Sequence, residues 1–183
     1  MDCHILNLFI SHVDAKLPQI KVVPIDPFYL TWKARQFDFN TRFIELAGEI
    51  NTSMPDYVVN KCMIVLNSVG KHVSGSKILM LGLAYKANVD DCRESPSYRL
   101  MEKLEDLGAQ VSYNDPYIPE IPPSREHAKY TGRKSQPIDN AYDLILISTA
   151  HEDYKNIDFA SLNVPVVDSR NMLKEANPLF FKA

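Results

Sequence analysis

Two cationic residues lie in a polar loop where a nucleotide phosphate could bind. Residues 82–96 read GLAYKANVDDCRESP and contain Lys86 and Arg93, whose side chains suit phosphate oxygens because they donate charge-assisted hydrogen bonds. The loop is not the GxGxxG fingerprint of dinucleotide sites, since its glycine stands alone and the turn is too long to bring a pyrophosphate onto the next helix. The alternative is a solvated loop in which Arg93 pairs with Glu94 or Asp90.

The cysteines and His151 are weaker candidates for chemistry. Cys3, Cys62 and Cys92 are widely spaced and form no CxxC pair, so no metal site or disulfide framework is predicted, and a reducing, cytoplasmic setting is expected. Cys62 falls on an apolar helix face and is expected in the core. His151 follows a predicted strand, where it could touch a ligand, although a helix-start or hydrogen-bonded structural histidine is the favoured interpretation.

The elements that must position these residues are short apolar strands separated by helical segments, a pattern typical of a parallel sheet covered by helices. Ser95 and Pro96 supply a cap and a first-turn proline for a helix that ends at Gly108. The strands are predicted at residues 77–83, 110–114, 143–148 and 164–168, with helical segments around 154–160 and from 171. The fold class is therefore α/β, with a Rossmann-like parallel sheet that binds ligands at the carboxyl ends of its strands.

Arg170 stands at the same predicted edge of the sheet as Lys86. It follows the fourth strand in the run VDSRN, residues 167–171. Because the carboxyl ends of parallel strands share one edge, both cations could converge on one diphosphate. The alternative for Arg170 is a surface charge at the start of a helix.

A long helical segment precedes the sheet. Apolar residues recur at three- and four-residue steps over residues 41–69, which predicts a long helix or a kinked pair. Pro55 lacks a backbone donor, so the kink is expected at residues 51–55. The chain is divided into an atypical segment at 1–21, a helical middle segment at 22–75 and the sheet domain at 76–183.

Composition excludes two classes of partner. The formal net charge of −3 lacks the basic excess that drives binding to a phosphate backbone, so nucleic acid is not expected as a partner. The most apolar early stretch, residues 5–13, is shorter than the ~20 residues of a membrane-spanning helix, so no membrane association is expected. The hydrophobic content of 45% is ordinary for a soluble globular protein.

Three motifs, in order, carry a resemblance to a known family. VPIDPFYLTWKAR at residues 23–35, TRFIELAGEINTSMPDYVV at 41–59 and GLAYKANVDDCRESPS at 82–97 resemble the UDP-glucose/GDP-mannose dehydrogenase family, especially its UDP-N-acetylmannosamine/glucosamine 6-dehydrogenases. The resemblance covers residues 22–175. It implies a helical middle segment that forms a dimer and a Rossmann-like domain that holds the UDP-sugar, as in cytoplasmic enzymes of polysaccharide biosynthesis.

The resemblance also implies roles for the three cations. Lys86 matches the family lysine that contacts the nucleotide sugar, Arg170 matches an arginine that contacts the same substrate, and Arg93 matches an arginine that reaches NAD. The implied reaction is the oxidation of a UDP-N-acetylhexosamine alcohol to the uronate in two steps, each with NAD as the cofactor.

The family's catalytic cysteine has no counterpart in this sequence. A thiolate holds the aldehyde intermediate covalently in these enzymes, whereas Val22 stands at that position. Asp26 matches the carboxylate that acts on water, but it could equally be a turn residue between two prolines. Residues 1–20 do not resemble the glycine-rich segment that precedes the cysteine. We therefore expect a carboxy-terminal portion of the enzyme that lacks the NAD domain.

Two functional hypotheses follow from the resemblance. The first is a portion of a nucleotide-sugar dehydrogenase that binds UDP-sugar and is inactive alone. The second is a non-catalytic module for dimerisation or nucleotide-sugar binding. In either case the helix at residues 41–69 is expected to form a homodimer or to join a full-length dehydrogenase.

Overall fold

A computed structural model describes residues 25–183, with side chains from Tyr29 onward. The predictions for residues 1–21, for Cys3 and for Val22 lie outside the described residues. The chain forms two compact units that divide between Thr52 and Ser53. No helix among those described is both long enough and apolar enough to cross a membrane.

Within the described residues, two helices precede the sheet. Helix α1 spans Ile25–Arg35, and helix α2 spans Arg42–Ser68 with Pro55 inside it. Of the two predicted arrangements for the second segment, the structure has a single helical element. Cys62 lies in the core as expected, and burial raises the pKa of its thiol to about 12.

The apolar face of α2 is buried along part of its length. Its carboxy-terminal half buries Val58, Val59, Cys62, Val65 and Leu66. In its amino-terminal half Phe43, Leu46 and Ile50 are exposed. The helix therefore has both buried and partly exposed apolar side chains along the periodic pattern that predicted it.

Five parallel strands form one sheet in the order β2-β1-β3-β4-β5. The strands are β1 Lys77–Leu81, β2 Gln110–Asn114, β3 Leu144–Ile147, β4 Val166–Asp168 and β5 Phe180–Lys182. Alternate residues of β1 face opposite layers: Ile78 and Met80 join the core with α2, whereas Leu79 and Leu81 join a second core with Tyr154. The predicted α/β Rossmann-like class is confirmed.

Helix α3, Pro96–Asp106, connects β1 to β2 and begins as predicted. The Ser95 hydroxyl accepts a hydrogen bond from the Ser97 amide, and Pro96 occupies the first turn. Gly108 follows the helix at a φ of +88°, a conformation that favours glycine.

Near the carboxy terminus one prediction is wrong and another is shifted by a few residues. The helical turn expected from Asn171 is absent, since residues 171–179 form turns and loops, and the chain instead adds the fifth strand, β5. The short helical segment expected around residues 154–160 lies slightly earlier, as a 3-10 helix at Glu152–Asn156. The error at Asn171 arises because pairing with β4 orders a three-residue edge strand that local sequence does not specify.

Candidate functional site

The order in which strands are added to the sheet reverses between β1 and β3, and the carboxyl ends of these two strands flank the reversal. From β1 the chain crosses to β2 on one side, and it later returns to β3 on the other side of β1. Crevices at such a switch point bind ligands in doubly wound sheets. The long loop after β1 (residues 82–95) and the segment after β3 (residues 148–151) both start here, and Lys86 belongs to the long loop.

The long loop begins in close contact with the segment after β3. Gly82 has a φ of +83°, and a Cβ added to it would lie 2.4 Å from the Thr149 carbonyl oxygen. The Thr149 hydroxyl donates to the Ala84 carbonyl at 2.6 Å. Only a residue without a side chain fits this approach, so Gly82 allows the two chain segments to touch.

Asp115 holds the first residues of the long loop from the neighbouring strand. It directly follows β2 and is buried; one carboxylate oxygen accepts from the amides of Leu83 and Ala84 at 2.7 and 2.9 Å. The other oxygen accepts from the amides of Tyr117 and Ile118 at 2.8 and 3.2 Å. The buried carboxylate is thus satisfied by backbone donors of two segments.

These contacts favour the ionised form of Asp115. Burial alone raises the pKa of this carboxyl, but hydrogen bonds from His151 and from the amides of Ala84 and Tyr117 outweigh burial. The pKa therefore lies below the ordinary value of 3.8. Asp115 is a fixed negative charge beneath the loop at neutral pH.

His151 connects Asp115 to the middle of the long loop. Its ring is fully buried, with Nε2 at 3.1 Å from the Asp115 carboxylate and Nδ1 accepting from the Asn88 amide at 2.9 Å. The Asn88 side-chain oxygen accepts in turn from the Glu152 amide at 2.9 Å. His151 is the hydrogen-bonded structural histidine that the sequence favours, and Asn88 is fixed at a φ of 62°.

The two cations of the long loop are on the surface. Lys86 is exposed between the fixed positions Ala84 and Asn88. The Arg93 side chain is 83% exposed and forms two hydrogen bonds with the Asp91 carboxylate, Nε to Oδ1 at 3.0 Å and a terminal nitrogen to Oδ2 at 2.8 Å. Arg93 therefore pairs with a neighbouring carboxylate, as in the alternative interpretation, but the partner is Asp91 and not Glu94 or Asp90.

The short loop after β4 (residues 169–171) holds Arg170. Buried Asp168 accepts from the Arg170 amide at 2.9 Å and from the Leu173 amide at 2.8 Å. The Arg170 Nε donates to the Ser148 carbonyl at 2.5 Å. Lys182 of β5 donates to the Asn171 side chain at 2.7 Å, so the fifth strand supports this loop as well.

The segment after β3 is the common support of both loops. Ser148 contacts Arg170 of the short loop, while Thr149 and His151 contact Ala84 and Asn88 of the long loop. The structure thereby brings the loops of Lys86 and Arg170 to one edge of the sheet, as their positions after β1 and β4 predict.

For two other predicted site residues, Asp26 and Val22, no side chain is described. Asp26 lies in helix α1, and its side chain is not among those described; Val22 is outside the described residues. The sequence reasoning missed Asp115, although an acidic residue directly after a predicted strand is a usable signal. It also missed Asn88, whose role depends on contacts distant in sequence.

The comparisons with known proteins agree on one family. Residues 79–175 match the model of the UDP-glucose/GDP-mannose dehydrogenase family, UDP binding domain. The UDP-N-acetyl-D-mannosamine dehydrogenase of Methanocaldococcus jannaschii is 31% identical over 160 residues, which are 82% of this chain and 34% of the relative. The UDP-N-acetyl-D-glucosamine 6-dehydrogenase of Pseudomonas aeruginosa is 28% identical over 135 residues, 74% of this chain and 32% of the relative.

Solved structures give the same result. The structure of UDP-D-ManNAc dehydrogenase from Pyrococcus horikoshii matches with a TM-score of 0.71 and 25% identity, over 98% of this chain and 43% of that one. The chain spans about a third of the length of the curated relatives that it matches. The family model covers the two loops that hold Lys86 and Arg170. The chain therefore belongs to the UDP-glucose/GDP-mannose dehydrogenase family, and residues 79–175 are its UDP binding domain.

Proposed function

We propose that this chain binds the UDP portion of a UDP-N-acetylhexosamine at the carboxyl edge of its sheet. It would serve as the substrate-holding part of an NAD-dependent nucleotide-sugar 6-dehydrogenase. The observation that supports this proposal most directly is the shared segment after β3, which contacts both the loop of Lys86 and the loop of Arg170. Two cations on jointly anchored loops suit a diphosphate.

Lys86 and Arg170 would have different parts in binding. Lys86 is a flexible point charge on an exposed loop position, suited to a phosphate oxygen whose direction is not fixed. Arg170 has its Nε directed to the Ser148 carbonyl, so its guanidinium plane is oriented before a ligand arrives. We propose that Arg170 fixes the position and orientation of the diphosphate, and that Lys86 adds a positive charge that attracts it.

Arg93 and Asp26 would act only together with groups that bind NAD. Arg93 is exposed and held by Asp91, which fits a cation that could reach a phosphate of NAD. Bound NAD would accept the hydride. Because Val22 supplies no thiol, we propose that this 183-residue chain binds UDP-sugar but does not oxidise it.

Calorimetric titration with UDP tests the proposal. The chain is expected to bind UDP, and Lys86→Ala or Arg170→Ala is expected to weaken binding by about tenfold, the effect of one lost charge-assisted hydrogen bond. Lys71→Ala is the matched control, because Lys71 precedes β1 and pairs with Asp143 at the amino ends of the strands. Absence of UDP binding, or an equal loss of UDP affinity in all three variants, would contradict the proposal. Reduction of NAD by the purified chain would contradict its inactivity.

A second candidate function is assembly through α2, either as a homodimer or with a full-length dehydrogenase. Phe43, Leu46 and Ile50 are 65%, 52% and 38% exposed on this helix, and contiguous exposed apolar residues mark interaction surfaces. Mass measurement of the native protein, alone and mixed with an intact family member, tests this function. Phe43→Asp is expected to shift the measured mass toward that of the monomer. A wild-type chain that stays monomeric in both samples would exclude the assembly function.

A further inference from the structure

We infer that His151 is a positioning residue for the proposed nucleotide site, because its hydrogen bond to Asn88 sets the conformation of the loop that carries Lys86. The inference rests on the proposed function for its ligand, and on the side-chain geometry for its mechanism. His151 itself is fully buried, so it acts through the loop and does not touch solvent.

The hydrogen bonds of His151 select one form of its ring. Nδ1 faces the Asn88 amide, which can only donate, so Nδ1 must be without a proton. Nε2 faces a carboxylate oxygen of Asp115 that also accepts from two amides, so Nε2 must donate. The neutral ring with its proton on Nε2 satisfies both neighbours, and a second proton on Nδ1 would oppose the amide hydrogen of Asn88.

Two aromatic rings hold the imidazole in this orientation. Tyr117 stacks on His151 with centroids 5.0 Å apart, and Tyr154 packs edge-on at 5.5 Å. The Tyr154 hydroxyl is itself fixed by the Asn114 carbonyl at 2.8 Å. The position of Nδ1 is therefore determined by residues after β2 and β3, before any ligand arrives.

The long loop is tethered on both sides of Lys86. On one side, the amide of Ala84 is held by Asp115 and its carbonyl by Thr149. On the other side, the Asn88 amide is held by His151 and its side chain by the Glu152 amide. Because three residues span fixed ends, the backbone of Lys86 has few conformations, which lowers the ordering cost of binding.

A pair of substitutions separates the two hydrogen bonds of His151. In His151→Asn, the amide oxygen takes the place of Nδ1 and keeps the acceptor for Asn88. In His151→Gln, the longer amide takes the place of Nε2, so it keeps the contact with Asp115 and loses that acceptor. We expect His151→Gln to bind UDP about tenfold more weakly than the wild type and His151→Asn to stay within about threefold.

The control is His127→Gln, which removes a histidine that stacks on Tyr98 with centroids 3.8 Å apart. It is expected to leave the UDP affinity unchanged. Thermal denaturation of each variant establishes that it is folded under the conditions of the titration. If the wild-type chain binds UDP and the His151→Gln and His151→Asn variants bind it with equal affinity, the positioning role is overturned. A wild-type chain that does not bind UDP would instead overturn the proposed function, and with it the ligand of this inference.

A spectroscopic measurement on the wild type tests the mechanism even where a variant does not fold. Long-range nitrogen–proton correlation of the His151 ring is expected to show a protonated Nε2 and an unprotonated, hydrogen-bonded Nδ1. The Asn88 amide is expected to shift as UDP is added, following the same saturation curve as calorimetry. A ring protonated on Nδ1, or an Asn88 amide that does not respond to bound UDP, would overturn the inference.

Discussion

The long loop of Lys86 and the short loop of Arg170 are anchored in different ways. The short loop is held by Asp168, the last residue of its own strand, which accepts from amides two and five positions later. The long loop is held by residues of two other chain segments, since Asp115 follows β2 and His151 follows β3. The backbone amides of the short loop are thus held by local sequence, with side-chain contacts to Ser148 and Lys182 added, whereas those of the long loop are held by residues distant in sequence.

This difference predicts how each loop responds to damage. Removal of a distant anchor disconnects the long loop from two strands at once, so stability and ligand affinity should fall together. Removal of the local anchor leaves the sheet intact and should affect mainly the Arg170 loop. Substitutions of the anchoring residues therefore test this contrast.

Asp115→Ala is expected to have the largest effect. It leaves the buried amides of Leu83 and Ala84 without their acceptor and His151 without its Asp115 partner. The free energy of unfolding, measured by urea denaturation, should therefore fall by about 4 kcal/mol. Asp143→Ala is the control at the amino end of the sheet, where a carboxylate whose side chain is 25% exposed pairs with Lys71. A loss of about 1 kcal/mol is expected there, and equal losses for the two variants would contradict the contrast.

Gly82→Ala tests the close contact between the long loop and Thr149. The new Cβ would meet the Thr149 carbonyl at 2.4 Å and also carry the strain of a φ of +83°, so a loss of about 3 kcal/mol in unfolding free energy is expected. Gly75→Ala has a similar φ of +85° with nothing within 4 Å and isolates the strain at about 1 kcal/mol. Indistinguishable urea midpoints for the two variants would show that the contact is relaxed in solution.

Asp168→Ala removes the local anchor of the short loop. The amides of Arg170 and Leu173 lose their acceptor, and a loss of about 2 kcal/mol is expected in urea. Because the long loop keeps its own anchors, the Asn88 amide should keep its chemical shift in a nitrogen–proton spectrum. A large change at Asn88 would mean that the two loops are not anchored independently.

The same contrast explains which features the sequence reveals. β2 and α3 lie close to their predicted bounds, because the polar–apolar alternation of β2 and the Ser95-Pro96 start of α3 are local signals. The position of Lys86 and Arg170 at one edge follows from the strand ends alone. The tethering of Asn88 by His151 could not be predicted, since it joins residues 63 positions apart. The edge strand β5 was missed because it is ordered by pairing with β4, which its own three residues do not specify.

Acid should weaken the anchoring of the long loop through Asp115. Its pKa is lowered in the folded chain, so near pH 4 the unfolded chain binds more protons than the folded one. Its contribution to stability is therefore complete above the ordinary value of 3.8 and is lost as the pH falls through the folded value. We expect the unfolding free energy of Asp115→Asn to fall less steeply below pH 4 than that of the wild type, by up to about 1.4 kcal/mol per pH unit. Parallel slopes in acid titrations would contradict this prediction.

Asp91→Asn is expected to have the smallest effect on stability, although it lies in the long loop. Asp91 pairs with Arg93, whose side chain is 83% exposed, and exposed ion pairs contribute little because water screens them. The thermal midpoint should shift by less than about 3 °C, whereas Asp168→Asn, the same chemical change at a buried anchor, should shift it more. An equal shift in the two variants would mean that the Arg93 end of the long loop is anchored as firmly as its buried start.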